Sequence, residues 1–119
     1  MRFVFPYVPP GSNQLHRMDK FAVARERRQI HKDVALLVGR RSLPPIDPAH
    51  ITLDFRWASR RKRDVLNYAE GFKAGCDELV KLGWLVDDSA DHLAATVQGQ
   101  LGCGGTDHII VTLEEVSDD

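Results

Sequence analysis

Apolar and polar residues alternate from His50 to Trp57, and this pattern constrains the fold more than any other feature of the 119-residue chain. Ile51, Leu53 and Phe55 share one face of an extended segment with Trp57, while polar residues occupy the other face. The pattern predicts a half-buried strand. Other elements of the chain must cover its apolar face.

Turn residues divide the rest of the chain into segments with regular patterns. These are a strand at residues 2–8, a helix at Asp19–Gly39, a helix at 67–82, and final strands at 92–101 and 108–116. Pro6 restricts the first strand to a sheet edge or a bulge. The Gly-rich residues 102–107 predict a hairpin between the last two strands. We therefore predict a single α+β domain over residues 1–119, with two helices, one mixed β-sheet and the order β-α-β-α-β-β.

Hydropathy indicates an intracellular protein. No apolar run approaches the ~20 residues that span a bilayer, and the N-terminus lacks the apolar stretch of a signal peptide. We expect a cytoplasmic protein without a membrane partner. Cys76 and Cys103 make no zinc-ligand pattern, and we expect neither to form a disulfide. Cys76 is predicted to be a small core residue and Cys103 a loop residue.

Positive charge is concentrated although the formal net charge is −1. Residues 56–63 hold five arginines and lysines, and the acids Glu114, Glu115, Asp118 and Asp119 crowd the C-terminus. A local basic patch matters more for nucleic-acid binding than the total charge. Arginines and lysines also crowd the first helix, where they form either a solvated face or a face turned toward phosphates.

Acidic residues flank the second helix. Asp64 ends the basic run, and Asp87 and Asp88 follow the helix. Carboxylates that converge can hold Mg²⁺ for phosphodiester hydrolysis. Alternatively, Asp64 caps the helix and the acidic pair forms a polar turn. Because a 16-residue helix is ~24 Å long, Asp64 and Asp88 meet only if the chain folds back, or across a dimer.

The order of these residues is distinctive. A basic run ends in an acid, a lysine follows in the second helix, and an acidic pair comes after a short apolar segment. The residues in this order are Arg61–Asn67, Lys73, Asp77, Leu79 and Trp84–Asp88. Across nearly the whole chain this order resembles the RusA family of Holliday junction resolvases. Pro9–Asn13 with His16 is similar to the family's early Pro-Pro-Ser-x-Asn element, with one extra residue here.

The resemblance implies a RusA-like fold and a homodimeric, Mg²⁺-dependent endodeoxyribonuclease, with Mn²⁺ as a substitute. Such enzymes, often encoded by phages and prophages, cut four-way DNA junctions in recombination and repair. By resemblance, the catalytic residues are Asp64, Lys73, Asp87 and Asp88. The metal ligands are Asp64, Asp87 and Asp88. The predicted DNA contacts are Asn13, His16, Arg60, Arg61, Lys62, Arg63 and Asn67.

One position departs from the family pattern. Leu66 stands where the family has its second Asp, and leucine cannot ligate a metal. Glu70, three residues before Lys73, is the candidate substitute ligand. In the alternative, the protein binds branched DNA but cuts it poorly or not at all. We favour a retained nuclease, because Asp64, Lys73 and the acidic pair are all present.

Overall fold

The computed structural model describes residues 1–116 of the chain, and its strands form one mixed sheet. The strands are β1 (Arg2–Phe5), β2 (Ala49–Arg56), β3 (Leu93–Gln100) and β4 (His108–Glu115). Their order across the sheet is β1-β4-β2-β3. β4 runs antiparallel to both of its neighbours, whereas β3 runs parallel to β2. The predicted α+β class with one mixed sheet is confirmed. Two of the C-terminal acids named above, Asp118 and Asp119, lie outside the described residues.

The predicted hairpin between the last two strands is wrong, because β3 and β4 lie on opposite sides of β2. Ile109, Val111 and Leu113 of β4 are fully buried, which suits a strand between two others. β3 is largely exposed and forms an edge. Its parallel pairing with β2 needs a long crossover connection, and the helices between them provide it.

The structure has more helices than the two that were predicted. They are α1 (Ser12–Leu15), α2 (Lys20–Val38), α3 (Val65–Gly71) and α4 (Lys73–Lys81). The helix predicted at 67–82 is broken at Phe72, whose N–H donates to the carbonyl of Ala69 instead of continuing the α-helical pattern. Phe72 is fully buried and packs edge-on against Phe5, with ring centroids 5.0 Å apart. The break lets this ring enter the core while the next residue, Lys73, stays exposed.

The core lies between the apolar face of β2 and the helices. Phe55 and Trp57 are buried and stack with centroids 5.5 Å apart. Ile30 of α2 and Leu79 of α4 belong to the same buried cluster. On the polar face of β2, Asp54 is also buried, and its carboxylate accepts hydrogen bonds from the Arg56 guanidinium at 2.6 and 2.9 Å.

Local signals place the ends of the long helix α2 correctly. The Asp19 carboxylate accepts hydrogen bonds from the N–H groups of Phe21 and Ala22, as an N-cap does. Gly39 ends the helix with a φ of 66°, a conformation that glycine adopts without strain. Within residues 1–116, no helix is long and apolar enough to cross a membrane.

Candidate active site

Lys73 lies at the centre of a small charged cluster at the start of α4. Its Nζ donates to Asp77 Oδ1 at 3.2 Å and to Asp88 Oδ2 at 3.1 Å. Asp77 is one helical turn away, whereas Asp88 is 15 residues away in sequence. We call Lys73, Asp77 and Asp88 the Lys73 cluster. All three side chains are at least 40% exposed, so the cluster is open to a substrate.

The chain reverses after α4, and this reversal brings Asp88 back to Lys73. Gly83 makes the turn with a φ of 80°. Leu85 is buried and bridges to Ile46, so the returning segment is anchored. α4 has nine residues and is therefore ~13 Å long, while residues 84–88 can extend over ~17 Å. The return segment is long enough to span α4 from its end to its start.

The ion pairs in the cluster favour the charged forms of Lys73 and Asp88. Hydrogen bonds to Asp88 and Asp77 raise the pKa of Lys73. The same Lys73 ammonium lowers the pKa of the Asp88 carboxyl, and the Asp87 side chain adds to this lowering. Asp87 Oδ1 accepts the backbone N–H of Asp88 at 2.7 Å, so Asp87 orients its neighbour.

A cleft of about 330 Å³ adjoins the cluster, and we call it the Lys73 cleft. It opens between the Pro9–Pro10 segment, α2 and the α3–α4 junction. Its charged lining residues are Glu26, Arg27, Glu70, Lys73 and Asp77. Glu70, the predicted substitute ligand, therefore faces the same cleft as Lys73. Acids outnumber permanent cations in this lining, so a phosphate entering the cleft needs an added cation.

Asp64 lies at the opposite end of α3 from the Lys73 cluster. Its Oδ1 accepts the N–H of Leu66 at 3.2 Å, so it caps the helix. The capping alternative raised by the sequence is therefore present in the structure. Leu66 is 75% exposed, so a large apolar side chain points into solvent beside Asp64.

The structure does not bring three of the predicted metal ligands together. Within the described part of the chain, no group of three or more His, Cys, Asp or Glu side chains could hold a metal ion. However, Mg²⁺ often binds through one or two carboxylates, and substrate phosphates and water complete its shell. Asp77 and Asp88, which both pair with the Lys73 ammonium, could supply the one or two carboxylates of such a site. The donor set therefore fits Mg²⁺ held jointly with a phosphate and does not fit an all-protein cage.

Arg60, Arg61, Lys62 and Arg63, which we call the basic segment, lie between β2 and α3 without regular structure. None of them belongs to an ion pair within residues 1–116, and the first three are exposed. The Gly-rich loop supports the residues just before them. Gly102 N–H donates to the carbonyl of Ser59, and Asp107 Oδ1 accepts the N–H of Ala58. The loop that was expected to form a hairpin instead holds the base of the basic segment.

Asn67, a predicted DNA contact, has a structural role. Its Oδ1 accepts hydrogen bonds from Ser12 Oγ at 2.9 Å and from the Asn13 N–H at 2.8 Å. Gly71, one turn further along α3, lies so close to the Pro10 carbonyl that a Cβ would collide with it. Asn67 and Gly71 thus hold the Pro9–Asn13 segment against α3. Asn13 and His16 are exposed, as contacts with a ligand require.

The two parts of the site meet at the Pro9–Pro10 segment. Arg63 lines a second cleft of about 330 Å³, and this cleft shares both prolines with the Lys73 cleft. Arg63 and Lys73 therefore line two clefts that border the same short segment. Asp77 was named in the family-like order of the sequence but was given no role in the site, although its four-residue spacing from Lys73 makes the two side chains neighbours on a helix. Sequence reasoning did not identify Asp107, which no local pattern marks.

Comparisons with known proteins do not assign this chain to a family. The chain matches no model of a known protein family, and a search of curated proteins finds no significant match.

Proposed function

We propose that this protein is a Mg²⁺-dependent, structure-selective endodeoxyribonuclease that cuts four-way DNA junctions. The observation that carries the proposal is the Lys73 cluster, in which an exposed lysine and an acid from a distant segment meet at 3.1 Å. The basic segment, free of ion pairs within residues 1–116, is the second support. The resemblance to the RusA family at the same residues is the third.

The side chains have distinct roles in this proposal. The Lys73 ammonium lies where it can stabilise negative charge that develops on a phosphate oxygen in the transition state. Asp88, held ionised by Lys73 and oriented by Asp87, supplies a carboxylate for the metal, and Asp77 supplies a second. When bound there, Mg²⁺ neutralises the phosphate and lowers the pKa of a coordinated water. Arg60 to Arg63 contact the DNA backbone, which positions the substrate without reading its sequence.

A two-fold dimer suits the substrate. A four-way junction has two equivalent strands to cut, and a two-fold dimer presents two equivalent sites. We therefore propose that the active form is a homodimer, in which each subunit contributes one Lys73 cluster and one basic segment.

The second candidate is a branched-DNA binding protein that does not cut. Leu66 favours it, because an exposed leucine stands where the family has an acid. The engagement of the Asp64 carboxylate in a helix cap favours it as well. Under this alternative the basic segment keeps its role and the Lys73 cluster has none.

Cleavage of a labelled junction distinguishes the candidates. An immobile four-way junction, labelled on each strand in turn, is incubated with protein and Mg²⁺ or Mn²⁺. We expect paired symmetric nicks with the wild-type protein and none with Asp88→Asn. Asp91→Asn is the matched control, because it makes the same charge change three residues away. Tight binding without product at either metal would establish the second candidate instead.

A further inference from the structure

A groove beside the Lys73 cleft is strongly cationic, and we call it the cationic groove. It encloses about 680 Å³ between α1, α2 and the end of α4. Its charged and titratable lining residues are His16, Lys20, Arg27, Arg28, His31 and Lys81. No Asp or Glu lines it within the described chain. Leu15, Met18 and Val23 contribute its apolar lining.

The four permanent cations of the groove have no carboxylate partner. Within residues 1–116, none of Lys20, Arg27, Arg28 and Lys81 lies within 4.0 Å of an acidic oxygen. Glu78 approaches only His31, at 3.5 Å. A chain with a net charge of −1 therefore collects unneutralised positive charge in one concave surface. Such a surface attracts an anion, whereas the acid-rich lining of the Lys73 cleft repels one.

The groove leads directly to the Lys73 cleft. The two share Leu15, Arg27 and His31 as lining residues. From Lys20 to His31, α2 rises ~16 Å, and one strand of a duplex places a phosphate about every 3.4 Å along its axis. The tract is therefore long enough to contact more than one phosphate of the same strand. A polyanion of that spacing fits the groove better than a single small anion does.

We propose that the cationic groove binds the phosphodiester backbone of a duplex DNA arm and directs it toward Lys73. This inference rests on the proposed function, because it adds a second backbone contact surface for the same substrate. Its contacts are distinct from those of the basic segment, whose Arg63 lines a different cleft that shares no lining residue with the groove. The DNA then touches the protein at both surfaces that adjoin the Lys73 cleft.

The test measures how DNA affinity depends on salt. Fluorescence anisotropy of a labelled plain duplex is recorded between about 50 and 200 mM salt. The groove variant combines Arg28→Gln with Lys81→Gln. The control combines Arg25→Gln with Lys32→Gln, which makes the same charge change on exposed residues that do not line the groove.

We expect the groove variant to lower the slope of log affinity against log salt by about 1.8, since each lost phosphate contact removes about 0.9. Affinity at about 0.1 M salt should fall roughly 10- to 100-fold. The control should stay within about threefold of the wild type. Equal losses in both variants would show that binding follows net charge alone and would overturn the inference.

A lysine footprint on the wild-type protein avoids any doubt about folding of the variants. We expect bound duplex to protect Lys20 and Lys81 from acetylation and to leave Lys32 reactive. Equal reactivity of all three lysines would overturn the inference. The junction-cleavage assay tests Lys73 and Asp88 separately, so the groove can fail while the nuclease proposal stands. Wild-type protein that shows no salt-dependent binding to the duplex would overturn the inference, and the absence of such binding to a four-way junction as well would overturn both proposals.

Discussion

Lys73 and Asp88 determine each other's ionisation. The ammonium lowers the pKa of the Asp88 carboxyl, and the carboxylate raises the pKa of Lys73. Both groups are therefore charged over a wider pH range than either alone. Since a folded-state pKa below the ordinary value keeps a carboxyl ionised to lower pH, Asp88 stays ionised in mildly acidic solution, as its proposed role as a metal ligand requires.

Replacing Lys73 by methionine should reverse this effect. In Lys73→Met, the pKa of Asp88 rises back toward its ordinary range, and the acid limb of the pH–activity profile moves to higher pH. We expect kcat to fall roughly 10²–10³-fold, as for loss of one transition-state donor, with little change in junction affinity. NMR titration of the Asp88 carboxyl measures its pKa, and single-turnover cleavage measures the loss of catalytic rate. Lys62→Met is the control and should leave the Asp88 titration unchanged. Equal losses of kcat and affinity would contradict a role in the transition state.

Leu66 is the residue whose replacement can add function. In Leu66→Asp, a carboxylate joins Asp64 at the start of α3, where the helix dipole favours negative charge. If Asp64 binds the metal, as the sequence predicted, the added carboxylate should lower the Mg²⁺ concentration for half-maximal cleavage by about tenfold, because ligand charge sets affinity for hard cations. If Asp77 and Asp88 alone hold the metal, that concentration should stay the same. Leu66→Asn is the control for size and polarity. Since Leu66 is exposed, both variants should keep wild-type stability. The same Mg²⁺ dependence in both would show that position 66 does not contribute to the metal site.

At the scale of elements, α3 holds the site together. Its N-cap is Asp64, and its Asn67 and Gly71 fix the Pro9–Asn13 segment that borders both clefts. α4 then begins with Lys73, because the break at Phe72 sends an aromatic ring into the core. Asp64 is the helix cap and also one of the metal ligands that the sequence predicted, so the two roles need separating.

Two substitutions at Asp64 separate them. Asp64→Ala removes the cap and should lower the free energy of unfolding by about 1 kcal/mol. Asp64→Asn keeps the cap, because asparagine caps helices as well as aspartate does, and should leave stability within a few tenths of a kcal/mol. If the carboxylate also serves the metal, both variants lose cleavage. Urea unfolding and junction cleavage give the two readouts. Full cleavage by Asp64→Asn would limit Asp64 to capping.

At the scale of the whole molecule, one sheet and its helices present charge of both signs on one continuous surface. The acid-rich Lys73 cleft shares lining residues with the cationic groove and also with the second cleft, which Arg63 lines. Under the proposed function, each Lys73 cluster cuts one strand. Resolution of a junction would then require two subunits that act on one substrate.

Mixed dimers test this requirement. Wild-type and Asp88→Asn subunits are co-refolded at a large excess of the variant, so that nearly all wild-type chains sit in heterodimers. On a supercoiled plasmid with an extruded cruciform, we expect wild-type dimers to give linear product and heterodimers to give nicked circles. Mixing with Asp91→Asn subunits should preserve linear product. Linear product from the Asp88→Asn mixture would contradict paired action within a dimer.

Short-range signals in the sequence located the strands and the long helix, but they missed α1 and the break between α3 and α4. Alternation located β2, and Asp19 and Gly39 marked the ends of α2, because side-chain periodicity and capping depend on neighbours within a few residues. The Asp64 cap was one of two roles that the sequence left open, and the structure shows the cap. Phe72 broke the predicted helix because burial of its ring, a tertiary effect, outweighed local propensity.

Only the tertiary structure decided how the elements meet. The sequence suggested that β3 and β4 pair with each other, yet each pairs with β2, because strand order depends on which surfaces are buried together. The Lys73–Asp88 contact spans 15 residues and the Ser12–Asn67 bond spans 55. No periodic pattern encodes such pairs, since they arise from chain reversals that the whole packed core stabilises.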